Sequence, residues 1–310
     1  MTIELTLDKR TASAFVPGHV TGLFRIFDEH IDPLQRGSMG AGFSVSAGTL
    51  TTITVIETDD STIITKYNER KIQALVTETV VEKLSNDFNV TLSAEITHES
   101  DLPIGVGFGA SGAGALGTAL SLSSILAPEM DYTTSSQYAH YAEIINRAGL
   151  GDVIAQTVGG IEIRTKAGAP GIGSTINVAI PENLVIVLAG STGLETKSVL
   201  TDPDSRERIN REGESRIKKI ISDPSLQSII ENAKEFAQAV GLETPRIRSA
   251  LSDLYSNGFN WSSMVMLGDS VFCFCNKQES PKVESILSEY WNSDEVFTTT
   301  FSIKGGELRV

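Results

Sequence analysis

The sequence of 310 residues is poor in cysteine and histidine, with two of the first and four of the second. The cysteines, Cys273 and Cys275, have no second Cys/His cluster to complete a zinc site, which excludes a structural metal of that kind. At i and i+2 of a strand they share a face but are poorly placed for a bridge, so they read as small apolar core residues. Cations are also scarce: 25 Lys and Arg against 39 Asp and Glu leave a net charge of −14. Binding a phosphate backbone needs clustered Lys and Arg, so general nucleic-acid binding is excluded, though a local basic pocket for one small anion is not. No basic-plus-apolar leader opens the sequence, and no apolar run approaches roughly 18 residues. The reading is therefore a cytoplasmic protein without membrane contact.

What is present is an ordinary globular composition, 40% hydrophobic and 21% charged. The first third carries β-branched residues in partial alternation, which predicts strands at Ile3–Leu7, Ala12–Val16, Ser44–Ile56 and Thr62–Lys66. Helical spacing of Ile72, Leu75, Val76, Val80 and Leu84 predicts a helix over Glu69–Phe88. A strand follows at Val90–Ile96, then a glycine-rich loop and apolar helix Ser111–Leu126. A helix is expected at Thr134–Ala148 with Ser135 or Ser136 as cap. Further strands are expected at Gly159–Thr165 and Leu184–Ala189. Charged amphipathic helices follow at Asp204–Ile221, Leu226–Val240 and Pro245–Tyr255. Ser262–Met266 and Val271–Cys275 read as a hairpin about Gly268–Asp269. Ser280–Trp291 reads as a helix and Val296–Ile303 as a final strand. Strands cluster without regular βαβ alternation, so the fold class is α+β. A boundary near Pro181 divides the chain into residues 1–180 and 181–310.

The strongest signal is Pro103-Ile-Gly105-Val-Gly107-Phe-Gly109-Ala110-Ser111-Gly112-Ala113-Gly114-Ala-Leu-Gly117, with six glycines in thirteen positions. Glycine inside a helix costs about 0.8–1 kcal/mol relative to alanine, so something must offset Gly112, Gly114 and Gly117. Close approach of the backbone to a ligand would do so, and a glycine loop entering a helix N-terminus suits phosphate. Tight packing of the helix on a neighbouring strand is the alternative. A Walker A loop would need Lys-Ser/Thr after its last glycine, where this chain has Ala113-Gly114. G-x-G-x-x-G is literally present at Gly107, Gly109 and Gly112. Asp101-Leu102-Pro103 separates it from any preceding strand, and Pro128 breaks the strand a dinucleotide fold would need next.

Two acidic residues follow the loop. Phosphoryl transfer needs positioning, a metal to offset charge and often a base, and Glu143 and Asp152 are the candidates. On residues alone, Glu143 could equally be a solvated helix face and Asp152 an N-cap after Gly149-Leu150-Gly151.

These segments resemble the GHMP kinase superfamily. Pro103 to Ala113 is similar to its second motif, in which the loop wraps the nucleotide phosphates and the second serine, here Ser111, helps to hold Mg²⁺. Ala110 stands where that motif has its first serine. Tyr141-Ala142-Glu143 and Gly149–Gln156, ending in Gly159-Gly160, match the family's Mg²⁺ glutamate and its substrate-facing aspartate. The resemblance thus implies Glu143 on Mg²⁺ and Asp152 orienting or deprotonating the acceptor hydroxyl. Pro17-Gly18-His19-Val20-Thr21-Gly22 with Gly37-Ser38-Met39-Gly40-Ala41-Gly42, and the late Ser262–Gly268, resemble the pantoate kinases within that superfamily. The resemblance covers about residues 12 to 275. It implies a ribosomal protein S5 domain 2-like N-terminal domain and a ferredoxin-like C-terminal domain. It also implies ATP and Mg²⁺ as cofactors, pantoate as small-molecule partner, and a homodimer.

Pantoate is a hydroxy acid whose carboxylate needs a cation or several N–H donors. Arg164 is the first choice and His140, one turn before Glu143, the second, with His19 and Ser38 lining the pocket. Against this, Glu162 and Arg164 share a strand face and could both be solvated, and a lone helical histidine is often structural. The competing readings are a kinase for homoserine, shikimate or mevalonate, a phosphorylating decarboxylase, a nucleotide-dependent dehydrogenase, and a non-catalytic nucleotide sensor.

Overall fold

The computed structural model describes residues 9–193, 199 and 201–309; the strand expected at Ile3–Leu7 lies outside them. The chain is α+β. Strand β1 (Arg10–Phe27) and strand β2 (Gly37–Glu57) form one long antiparallel hairpin. Register shifts at Pro17/Gly18 and Thr21/Leu23 mark bulges. The first lets Pro17, which has no N–H, sit inside a strand. The expected strand ending at Val16 therefore continues through the Pro-Gly segment and carries His19 inward.

Strands β3 (Thr62–Tyr67), β4 (Arg70–Ile72) and β5 (Leu92–Ser100) extend this sheet beyond β2. Strands β6 (Ile161–Lys166) and β7 (Ser174–Val178) join it where the other end of β2 bends away from β5. Strand β12 (Glu307–Arg309) returns to pair with β1. Helices α1 (Leu75–Phe88), α2 (Ala110–Leu126) and α3 (Tyr132–Asn146) bury one face of the sheet. Short helix α4 (Asp152–Val158) lies beside β1 and α2.

A second, antiparallel sheet has the order β11 (Val296–Thr299), β8 (Leu184–Ser191), β10 (Asp269–Asn276), β9 (Ser262–Met264). It packs with helices α5 (Pro203–Ser222), α6 (Leu226–Val240), α7 (Pro245–Ser256) and α8 (Ser280–Leu287). Their shared core runs into the β1–β2–β6 end of the first sheet. Cys273 and Cys275 are free and buried on β10, as small core residues.

Several boundaries move for physical reasons. Asn68 and Glu69 take positive φ and turn the chain, so the expected helix from Glu69 first yields strand β4. The cap of α3 is Asp131, whose carboxylate accepts from the Thr134 N–H, whereas Ser135 and Ser136 are buried inside the helix. Helix α8 stops at Leu287 and strand β11 at Thr299, both short of their expected ends.

Candidate active site

A cavity of about 710 Å³ opens between the glycine loop, the start of α2, the α3–α4 turn and the loop after β9. That is the size of a site for a small-molecule ligand. Its walls include Pro103, Gly105, Gly107, Gly109, Ala110, Ser111 and Gly112, with Glu143 and Asp152 opposite.

The glycines divide the two roles the sequence left open. Gly105, Gly107 and Gly109 have φ of +79°, +86° and +73°, a region that side chains rarely adopt. They let the loop turn back on itself. Gly112, Gly114 and Gly117 are helical and serve packing. A Cβ on them would lie 2.6 Å from Gln156 Oε1, 3.2 Å from His98 Cε1 and 2.4 Å from Thr51 Oγ1 respectively. Close approach of α2 to its neighbours offsets their helix cost.

Helix α2 has Gly109 at its N-cap and no side-chain cap, so the first N–H groups of the helix face the cavity with the positive end of its dipole. Ala113 differs from expectation. Its N–H bonds to the Gly109 carbonyl and its methyl is in the core, so it does not face the cavity. Gln156 locks the loop from behind, its amide donating to the Pro17 and Gly109 carbonyls, both at 2.9 Å.

Glu143 is 2% exposed, not on a solvated face. Its Oε1 accepts from Ser111 Oγ at 2.5 Å, while its Oε2 is buried without a hydrogen-bond partner among the described residues. Burial, opposed by the Ser111 bond and reinforced by the charge of Asp152, pushes its carboxyl up to about 8. Gly149 makes room for it, since a Cβ there would lie 2.1 Å from Glu143 Oε2. An oxygen with no partner among the described residues, beside a serine hydroxyl at the cavity-facing end of α2, fits a divalent cation. Among the described residues no three His, Cys, Asp or Glu are grouped so as to hold a metal ion. Such an ion would thus take few protein ligands and complete its shell from phosphates and water, which is how Mg²⁺ is usually held.

Asp152 is the first residue of α4, with Gly151 as cap, so its side chain caps nothing. It is 28% exposed, toward the cavity. Burial would raise its pKa, but the hydrogen bond and charge of His19, with the Arg164 charge, leave it lowered. Asp152 stays an ionised acceptor.

His19 does not line the cavity. It is fully buried between Nδ1···Asp152 Oδ1 at 2.8 Å and Nε2···Glu162 Oε1 at 3.0 Å. Burial lowers its pKa, but the Glu162 charge and the two carboxylate bonds outweigh that and raise it to about 9. Arg164 does not line the cavity either: it is fully buried, its Nη1 on Glu162 Oε1 at 2.5 Å and its Nε without a hydrogen-bond partner among the described residues. A Cβ on Gly151 would lie 2.8 Å from that Nε and 2.4 Å from Ser38 Oγ, so Ser38, which lines the cavity, and Arg164 meet at Gly151. His140 is turned away from the cavity. It is buried and neutral, its pKa lowered to about 4 chiefly by burial, and its Nε2 bonds the Arg36 carbonyl at 2.9 Å, two residues before Ser38.

Glu162 is the functional candidate that sequence reasoning missed. Period-two spacing of charges on Ile161-Glu162-Ile163-Arg164 looks the same for a solvated face as for a buried ion chain. The available signal was Gly40-Ala41-Gly42. In register, Gly40 opposes Arg164 and Gly42 opposes Glu162, each leaving space for a buried side chain.

Comparison with known proteins finds relatives over most of the chain. Residues 74–160 match the family described as GHMP kinases N terminal domain. The chain is 36% identical to the pantoate kinase of Thermococcus kodakarensis over 89% of this chain and 91% of that protein. It is 32% identical to the pantoate kinase of Methanocaldococcus jannaschii over 88% and 96%. A solved phosphotransferase related to the CoA biosynthesis pathway superposes with a TM-score of 0.85 at 31% identity, covering 97% of this chain and 99% of that one. Mevalonate diphosphate decarboxylase of Enterococcus faecalis superposes with a TM-score of 0.73 at 13% identity over 97% and 99%, a likeness of fold alone.

Proposed function

We propose, from the premise that this chain belongs to the GHMP kinases and among them to the pantoate kinases, that it transfers the γ-phosphoryl group of ATP to the primary hydroxyl of pantoate, a step toward coenzyme A. The hydroxyl oxygen bonds to the γ-phosphorus as the bond to ADP breaks, and the hydroxyl proton is released. The observation that carries the site is the meeting, at one cavity, of an uncapped helix N-terminus with two carboxylates of opposite habit. Glu143 is held high in pKa beside Ser111 and Asp152 is held low.

The loop N–H groups of Gly105–Gly112 would hold the nucleotide phosphates, with the base against the apolar end at Tyr67, Ile72 and Val76. Ser111 and Glu143 would hold Mg²⁺, which offsets phosphate charge when bound. Asp152 would accept the hydrogen bond of the acceptor hydroxyl and so orient its oxygen. Ser38 would take the pantoate carboxylate, Arg164, buried behind it at Gly151, would add its positive charge without lining the cavity, and His140 would fix the Arg36–Ser38 backbone that presents Ser38. Phe24, Leu150 and Met266 offer an apolar wall for the two methyl groups.

The same proposal places the nucleotide-binding loop in a unit of residues 1–180 and a second unit in 181–310, which the opening of the second sheet at Leu184 supports, although β12 at the end of the second stretch returns to the first sheet and Met266 and Leu267 reach the cavity. It also expects a homodimer in the cytoplasm, the first checked by sedimentation. Among the described residues no helix is long and apolar enough to cross a membrane.

The test is turnover of Mg-ATP with pantoate, homoserine, shikimate, mevalonate and pantothenate, with mass spectrometry of the products. Phosphopantoate from pantoate alone is expected, and turnover with a different acceptor only would overturn the substrate. Arg164→Ala should raise the KM for pantoate. Because it also strips a buried carboxylate of its partner, it should cost about 3–5 kcal/mol in stability. An unchanged KM in the folded fraction removes Arg164 from the acceptor site. Since Glu143 must lose its proton to bind a cation, Mg²⁺ affinity should fall about tenfold per pH unit below about 8. Titration calorimetry at pH 6, 7 and 8 measures this, and Glu143→Gln should abolish the dependence.

A further inference from the structure

Behind the cavity, four charged side chains stand in a row: Asp152, His19, Glu162 and Arg164. Their signs alternate and their net charge is zero. His19, Glu162 and Arg164 are each 0% exposed. Only Asp152 reaches the cavity. A neutral imidazole donates from one nitrogen only, yet each ring nitrogen of His19 lies against a carboxylate oxygen, at 2.8 Å and 3.0 Å. Between two carboxylates that both accept, the ring can serve both only as an imidazolium, which matches its raised pKa. Glu162 Oε1 takes both the His19 and the Arg164 donor. The backbone is shaped around this row. A Cβ on Gly42 would lie 2.5 Å from His19 Nε2, one on Gly40 3.0 Å from Arg164 Nη2, and one on Gly151 2.8 Å from Arg164 Nε.

We propose that Glu162 is a positioning residue of the reaction, which holds His19 as a two-proton clamp on Asp152 and ties that clamp to the arginine beside Ser38. The proposal rests on the reading of Asp152 as the group that meets the acceptor hydroxyl. Without the Glu162 charge the second His19 proton has no anionic acceptor, and burial favours the neutral ring. Asp152 then keeps at most a neutral N–H donor, free to swing, and its acceptor oxygens are no longer aimed. With Glu162 the orientation of the catalytic carboxylate and of the guanidinium at the carboxylate-binding end are set by one oxygen atom. That would explain why so expensive an arrangement as a buried chain of ions is kept at this point. The charged groups facing His19 are Asp152 from α4 and Glu162 and Arg164 from β6. The β2 side presents Gly42, and the glycine loop presents the Phe108 carbonyl, which accepts from the His19 backbone N–H.

The experiment uses the whole chain labelled with ¹⁵N-histidine, wild type and Glu162→Gln, with the His19 resonance assigned by its loss in His19→Asn. In the wild type the ring should give the imidazolium pattern at pH 7.5, titrating only near 9. In Glu162→Gln it should be neutral at pH 7.5. The alkaline limb of kcat, at saturating Mg-ATP and pantoate, should then move down by at least one pH unit. Glu162→Asp, which keeps the charge, should restore the limb even where kcat is lower. A neutral His19 in the wild type at pH 7.5 overturns the proposal without any variant, including the case in which Glu162→Gln does not fold, and leaves the kinase reading intact. A ring that stays cationic in Glu162→Gln also overturns it. A ring that becomes neutral while the kcat profile is unmoved overturns instead the placement of Asp152 at the reacting hydroxyl. A structural role alone would lower the folded fraction and leave the profile per folded molecule where it was.

Discussion

Asp152→Asn should lower kcat by about 10²–10⁴-fold, the range typical for loss of a positioned acid–base group. The substitution changes polarity, not shape. Asp152 Oδ1 faces an imidazolium that only donates, so the amide oxygen must turn toward His19. The amide NH₂ is then left facing the cavity, where the acceptor hydroxyl needs an acceptor. A donor there points the hydroxyl proton the wrong way and turns its oxygen off line. Nucleotide affinity should change little, because the loop and α2 N–H groups do not involve Asp152. Stability should fall by about 1–3 kcal/mol, since a charge-assisted bond to a buried cation is weakened. Steady-state kinetics with a parallel nucleotide titration measure both. A kcat within tenfold of wild type would refute the assignment of Asp152.

Gly109→Val should largely prevent the loop from forming. A Cβ at this position would lie 2.9 Å from the His19 N and 3.0 Å from both its carbonyl oxygen and Gln156 Nε2. The side chain would thus point into β1, not at the nucleotide. The φ of +73° adds strain that a β-branched residue tolerates worst. Strain and overpacking each cost about 1–3 kcal/mol, against a total stability of about 5–15 kcal/mol. Gly105→Ala is the control. Its φ is +79°, but among the described residues a Cβ there meets only Thr192 Cγ2 at 3.5 Å, so it should carry the strain without the collision. Urea unfolding of the two variants separates the contributions, and equal losses would mean that the contact with β1 does not matter.

The parts of this molecule that the sequence made legible are those where local chemistry decides. Helix α2, the glycine loop and the amphipathic helices α5 to α7 follow from spacing and glycine content. Glu143 and Asp152 stand out because their distance from that loop resembles a known pattern, and both line the cavity. What escaped was set by partners distant in the chain. Strand β7 exists because β6 offers it an edge, and β4 because a two-residue turn folds it onto β3. Whether Glu162 and Arg164 meet water or each other depends on β2 lying over them with glycines at the two opposing positions. His98 is a similar case. Thr51 and Thr77 hold its two ring nitrogens and burial lowers its pKa to about 4, yet nothing near it in sequence marks it as buried.

Strand β12 has a consequence for synthesis. It pairs with β1, the first described strand, and the residues leading into it are stitched to the same sheet and to α4. The Ser302 carbonyl accepts from the Gly160 N–H, the Ser302 N–H bonds the Ser44 carbonyl, and the Gly306 N–H bonds the Gln156 carbonyl. Gln156 in turn anchors the glycine loop. The ribosome releases these residues almost a whole chain after β1, once the second sheet has already been made. The part of the protein that holds the glycine loop and the candidate site therefore cannot close as a finished unit while translation is under way. Its last latch arrives only when the other half is present, so a chain interrupted late in translation would present an unlatched loop and not a working site.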